Sequence, residues 1–147
     1  MSPAPDTAMV LAAGFGTRMR PLTDRLPKPL LAVAGRTLLD RALDRVAEAG
    51  LARAVVNVHY RADMIRAHLA GRRTPEIAIS EEAPAILDTG GGIRRALPLL
   101  GERPFAVVNA DALWTGPCPV AALLAAWEPA RMDALLLLVP RARARAH

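Results

Sequence analysis

The stretch Leu11–Leu31, LAAGFGTRMRPLTDRLPKPLL, decides how this chain folds. An apolar run from Ala8 to Ala13 leads into Gly14 and Gly16, and then into a segment carrying Arg18, Arg20 and Lys28 between prolines. That order predicts a buried strand, Ala8–Ala13, delivering a phosphate-binding loop. Without a Cβ, Gly14 and Gly16 can take positive φ and let backbone N–H groups approach an anion, while Arg18 adds a planar fork of donors. Polyphosphate is the guest such a loop suits. Two other glycine loops are excluded. A P-loop needs Lys followed by Ser or Thr directly after its last glycine, whereas Thr17, Arg18 and Met19 follow Gly16. A dinucleotide fingerprint needs Gly or Ala three residues after Gly16, and Met19 stands there. Pro21, Pro27 and Pro29 prevent one long helix, so the segment is expected to wind as an extended loop over a site.

Charge sharpens the reading of Lys28. The formal net charge is +5, and Lys28 is the only lysine in a chain that otherwise uses arginine. A lone lysine in this loop points to a site that takes a compact ammonium rather than a guanidinium fork; a surface lysine without a role is the alternative.

Composition sets outer bounds. With 147 residues, 52% of them hydrophobic, there is material for one domain with its own core, which excludes a disordered chain. No charged segment precedes the Ala8–Ala13 run, that run is too short for a signal sequence, and nothing approaches the length of a membrane span. The chain is therefore expected to be cytoplasmic, with no membrane partner. The single cysteine, Cys118, lies between two prolines and reads as structural, as does His59. Arg141–Arg145 is basic but lacks an aromatic platform, and no helix-turn-helix or zinc pattern accompanies it, so nucleic acid is not an expected partner.

Periodicity predicts the remaining elements. Thr37–Ala49 reads as an amphipathic helix with Leu38, Leu39, Ala42, Leu43, Val46 and Ala49 on one stripe and Gly50 at its end. Ala54–Val58 is a strand, Arg61–Leu69 a helix, Glu76–Ser80 a strand and Glu81–Asp88 a loop. Gly92–Leu100 is a helix, Pro104–Val108 a strand, Val120–Trp127 a helix and Ala134–Val139 a further strand. This alternation implies right-handed crossovers and a Rossmann-like, mostly parallel sheet with helices on both faces. Ligands bind such sheets beyond the carboxyl ends of the strands. The glycine loop, Asn57–Tyr60, Thr89–Gly92 and Asn109–Asp111 would all gather at that rim.

Two of these segments suit a nucleotide. Asp111, just past an apolar strand, is a sensible ligand for Mg²⁺, which takes few protein carboxylates and completes its octahedron with phosphate oxygens and water. Position alone also allows a turn or helix-capping aspartate. Thr89-Gly90-Gly91-Gly92 stands at a helix start, where exposed N–H groups and missing side chains leave room for a ribose or a base.

The string LAAGFGTRMRPLTDRLPKPLL resembles the signature of the sugar-1-phosphate nucleotidylyltransferases, LAAG-x-GTR followed by PLT and PKPL. TGGGIRRALPLLG from Thr89 and PFAVVNADALW from Pro104 look most like its branch acting on N-acetylmuramate 1-phosphate with UTP; guanylyl transfer to mannose 1-phosphate is the runner-up. The resemblance implies the nucleotide-diphospho-sugar transferase fold. It also implies nucleotide contacts from Ala12, Ala13, Gly14, Gly16, Thr17, Arg18, Lys28, Thr89, Gly90 and Asn109. Arg18, Lys28 and Asp111 would be catalytic, with Mg²⁺ on Asp111, and the partners would be a nucleoside triphosphate and a sugar 1-phosphate. The family's triplet commonly has Gly where Ala110 stands, and Asp88 stands where relatives more often have Glu. Family members run well past residue 147. The chain is accordingly expected to be the nucleotide-binding part, truncated before a sugar-binding part and a second metal-binding aspartate, and a catalytically incomplete nucleotide-binding remnant is the rival reading.

Overall fold

The computed structural model describes residues 4–140. In chain order its elements are β1 (Thr7–Leu11), the short strands β2 (Ala32–Val33) and β3 (Arg36–Thr37), α1 (Leu38–Glu48), β4 (Arg53–Val58), α2 (Ala62–Leu69), β5 (Glu76–Glu81), α3 (Asp88–Leu100), β6 (Ala106–Asn109) and α4 (Pro119–Ala126). β1 is apolar without alternation because both of its faces are covered. It pairs in parallel with β4 on one side and β6 on the other, and β5 pairs in parallel beyond β4, giving the order β5-β4-β1-β6. Leu11 is level with both Asn57 and Asn109, and Asn57 with Ser80, so the strands end along one rim.

Alternate residues supply two cores, as the strand period of two requires. Ala8, Val10, Ala54, Val56 and Val58 pack against α1, α2 and α4, where Leu39, Leu43, Val46 and Ile65 are fully enclosed. Met9 and Val55 face the other way, onto Ala96 and Leu100 of α3. The expected two-faced parallel sheet is therefore present. β1 leads outward to β4 and then to β5, whereas β6 returns to the other side of β1. That reversal places the switch point, where open α/β sheets bind ligands, between β1 and β6.

α1 follows its stripe closely. The Thr37 hydroxyl accepts from the Asp40 N–H at 3.0 Å and caps the helix, which ends at Ala49 and Gly50. Between the glycine loop and α1, Ala34 and Gly35 both take positive φ, 49° and 75°, the pairing a tight antiparallel hairpin requires. Periodicity does not anticipate this hairpin, whose strands are only two residues long. A charged clasp ties it to the helices: Arg36 forks onto Asp44 at 2.6 and 2.8 Å, while Arg72 reaches Asp40 at 3.2 Å and Asp44 at 2.8 Å. Partial burial, the largest single influence on both carboxyls, pushes their pKa values up, yet it is outweighed. The Thr37 hydroxyl, His68 and Arg72 act together on Asp40, and Arg36 and Arg72 on Asp44, so both carboxyls end below the usual carboxylate value.

Four expectations are corrected. Ala134–Val139 is not a strand: these residues join no ladder, and Leu136 and Leu138 are 76% and 80% exposed. Apolar content alone does not make a strand; an edge must accept it, and β6 pairs only with β1 among the described residues. Ala12 and Ala13 lie beyond the end of β1, because the Ala12 N–H turns from the ladder to the Asn57 side chain. Glu81 is in β5 and Asp88 opens α3, so the expected loop is shorter at both ends and the three glycines sit inside the first turns of the helix. The Pro104–Val108 strand begins later, at Ala106, and includes Asn109. Arg141–Arg145 lies outside the described residues.

Candidate functional site

The loop after β1 is shaped by what it packs against. Gly16 takes a left-handed conformation, φ 64°, and a Cβ there would lie 2.9 Å from Thr23 Cγ2 and 3.0 Å from Lys28 Cβ. Both the dihedral and the space exclude a side chain. Gly14, by contrast, does not take positive φ and has nothing within 4 Å of its Cβ position. Thr23, almost wholly buried, donates its hydroxyl to the Gly16 carbonyl at 2.7 Å and folds the loop back on itself. The prolines break the segment into three short 3-10 turns, Thr17–Met19, Leu22–Asp24 and Lys28–Leu30. Extended Pro27 opens the last turn and Pro29 lies within it, so Lys28 has little backbone freedom.

That turn carries the Lys28 ammonium across the switch point to the end of β6. Lys28 Nζ donates to Asp111 Oδ2 at 2.7 Å, with the two side chains 26% and 46% exposed. A cation and a carboxylate from residues far apart in the chain thus meet over the cleft. Arg18 lines the same cleft, and its guanidinium has no partner among the described residues.

The cleft is about 290 Å³. It is lined by Ala12, Ala13, Gly14, Gly16, Thr17, Arg18 and Lys28 from the loop after β1, by Asp88 and Thr89 from α3, and by Asn109 and Asp111 at and after the end of β6. Gly90 does not line it. Because α3 already starts at Asp88, Gly90 is two residues into the helix, and at 3.6 residues per turn it points away from Asp88. His59 also stands apart, its Nδ1 2.6 Å from the Glu82 carbonyl and its ring edge-on to Phe15.

Two residues without an assigned role from sequence form the floor. Asn57 is 3% exposed and Glu82 1%. Asn57 Oδ1 accepts from the Ala12 N–H at 2.7 Å, and its Nδ2 donates to Glu82 Oε1 at 2.7 Å. Glu82 Oε2 accepts from the Leu87 N–H at 2.8 Å. One signal could have found Asn57: a lone amide in the apolar strand Ala54–Val58 must be hydrogen-bonded if it is buried. Glu82 carried no such mark, because a second glutamate after a strand ordinarily faces solvent.

Among the described residues no three His, Cys, Asp or Glu side chains stand where they could hold a metal ion together. Asp111 is a single carboxylate at the cleft mouth. Such a donor set fits a magnesium ion that arrives on phosphate oxygens, not one caged by protein. No helix of the described residues is long and apolar enough to cross a membrane.

The chain is similar to known proteins along most of its length. Over 144 residues the chain is 54% identical to the N-acetylmuramate alpha-1-phosphate uridylyltransferase of Caulobacter vibrioides, covering 94% of this chain and 60% of that protein. It is 45% identical over 134 residues to the enzyme of the same name from Neisseria meningitidis serogroup B, covering 90% of this chain and 58% of that protein. The chain thus spans less than two thirds of the length of these curated relatives. A crystal structure of a UDP-glucose pyrophosphorylase complexed with UDP-glucose matches the fold with a TM-score of 0.70, covering 82% of this chain and 52% of that one at 21% identity. The family model for the MobA-like NTP transferase domain matches residues 8–146, and this chain belongs to that family.

Proposed function

We propose that this chain carries the nucleotide-binding side of an enzyme that transfers a uridylyl group from UTP to N-acetylmuramate 1-phosphate and releases pyrophosphate. The observation that carries this reading is the meeting of Lys28 and Asp111 at 2.7 Å over a glycine-loop cleft. An ammonium for phosphate and a carboxylate for a phosphate-borne metal stand at one point. The names of the two uridylyltransferase relatives support the choice of base and sugar. Residues 1–147 are the nucleotide-binding part in this reading, and the sugar-binding part is the portion of the relatives' length outside the match.

An oxygen of the sugar phosphate attacks the α-phosphorus in line, and the bond from that phosphorus to the α–β bridging oxygen breaks. The bridging oxygen leaves with pyrophosphate. Because the nucleophile is already an anion, no general base is required, and the protein contributes position and charge. Arg18, with the backbone of Gly16 and Thr17, holds the β- and γ-phosphates and then the departing pyrophosphate. Lys28 leaves Asp111 for the α-phosphate and the incoming sugar phosphate, offsetting the repulsion between two anions. Mg²⁺, held by Asp111 when bound, supplies neutralisation of phosphate charge. Asn109, Thr89 and the Ala12–Gly14 backbone complete the nucleotide contacts.

Titration calorimetry with Mg·UTP, run beside a pyrophosphate-release assay with the sugar phosphate, tests the reading. Binding that Arg18→Ala weakens is expected. Binding without release favours the rival, a nucleotide-binding remnant. Preference for GTP would transfer the assignment to guanylyl chemistry, and absence of binding to any nucleoside triphosphate would remove it.

A further inference from the structure

At the floor of the cleft a buried carboxylate is engaged only by dipoles. Glu82 is 1% exposed, has no cationic partner among the described residues, and places each oxygen on a separate N–H donor. One donor is the Asn57 amide, whose other end receives the Ala12 N–H. The three bonds, 2.7, 2.7 and 2.8 Å long, run in series from the exit of β1, through the side chain on β4, to Leu87 at the entry of α3. The backbone of Glu82 is also pinned, its N–H donating to the Val58 carbonyl at 2.9 Å.

We propose that Glu82 and Asn57 are positioning residues, a rigid strut that sets the distance between the phosphate loop and the first turn of α3 and thereby the width of the nucleotide cleft. The inference rests on the nucleotide-binding reading above. Its two ends adjoin two separate stretches that line the cleft: Ala12 begins the glycine-loop stretch, and Leu87 precedes Asp88 and Thr89 of α3. An independent observation fixes the spacing. Gly92 of α3 lies so close to the strut that a Cβ would collide with Glu82 Oε1 and stand 2.9 Å from Asn57 Nδ2. The helix is therefore seated on the strut at a distance only glycine allows. A buried link of this kind is stiff because each polar atom has one available partner, and breaking one bond leaves a desolvated group unmatched.

The donor pattern supplies a specific test. Asn57→Asp alone sets two carboxylates against each other, and Glu82→Gln alone opposes either Asn57 or the Leu87 N–H with another donor. Made together, Asn57→Asp and Glu82→Gln restore all three bonds with the middle one reversed. The carboxylate now at position 57 accepts from the Ala12 N–H and from the amide nitrogen now at position 82, whose amide oxygen accepts from the Leu87 N–H. Net charge is unchanged. Each single variant should raise the Kd for Mg·UTP about tenfold or more, the loss expected from one unmatched buried group. The double variant should return it to within about threefold of wild type. Gly92→Ala, which leaves both side chains intact but displaces the strut, should raise Kd as the single variants do. Exchange of the Ala12 amide with deuterium, measured without nucleotide, should quicken in both single variants and slow again in the double.

A double variant that regains its melting temperature but not its affinity would overturn the positioning role, as would single variants that melt early yet bind UTP normally. Unchanged Ala12 exchange in the single variants would overturn the strut itself, even if the wild-type chain bound no nucleotide. If the single variants fail to fold, the double variant and Gly92→Ala still decide the matter by the same two readouts.

Discussion

Replacement of Lys28 by Met separates a chemical role for the ammonium from a structural one. In the free protein the ion pair with Asp111 spans 2.7 Å, but its side chains are 26% and 46% exposed. At an effective dielectric of about 20, a pair of charges roughly 4 Å apart attracts by about 4 kcal/mol. Desolvation and side-chain ordering cancel most of that, and exposed pairs contribute only about 0–1 kcal/mol to stability. Lys28→Met should therefore lower the melting temperature by less than about 4 °C in a chain of this size. Its effect on the reaction should be far larger, because the ammonium is then the counter-charge for phosphoryl oxygens as they develop charge. Loss of one such donor costs about 10²–10³ in rate. Pyrophosphate release within about threefold of wild type, or a melting temperature lowered by well over about 4 °C, would refute the reasoning.

Other perturbations follow from the same structure. Gly16→Ala must force an alanine into φ 64° and against Thr23, and should destabilise by about 2 kcal/mol, a melting shift of roughly 4–8 °C by differential scanning calorimetry. Leu43→Ala, at a fully enclosed position, should cost about 2–5 kcal/mol in urea unfolding, whereas Leu138→Ser, 80% exposed, should stay within about 0.5 kcal/mol of wild type. The Asp40 and Asp44 carboxyls sit below their ordinary value in the folded protein, so they bind protons less readily there than in the unfolded chain. Their contribution is complete above the unfolded value of about 3.9 and is lost as pH falls through the lowered folded value. Urea midpoints measured from about pH 7 downward should fall below about pH 4, and Asp40→Asn should flatten that decline.

The parts of the fold that could be read from sequence were those whose signal is local. The α1 stripe and the glycine after it lie close together in the chain, and the structure matches them closely, although Thr37, read as the first helical residue, is the cap instead. The glycine loop was legible because Gly16 permits a positive φ and the prolines fix the backbone around Lys28, wherever such residues occur. What escaped was relational. Ala134–Val139 has the composition of a strand, yet whether a strand forms depends on an edge elsewhere in the molecule, and here it joins none. Gly90 was grouped with Thr89, but helical rotation, which depends on where α3 begins, turns it from the cleft. Glu82 looked like an ordinary surface acid. Its burial depends on Asn57, 25 residues earlier, and on the absence of a side chain at Gly92.

The strand order also bears on how the molecule is made. β1 emerges from the ribosome first, yet its neighbour on one side is β6, and Lys28 meets an aspartate 83 residues later in the chain. At about 5–20 residues per second, the interval between these two side chains is on the order of ten seconds of translation. Until β4 is made both edges of β1 are unpaired, and from then until β6 is made one edge stays unsatisfied, an apolar template open to another strand. Only when β6 has been synthesised can Lys28 and Asp111 come together.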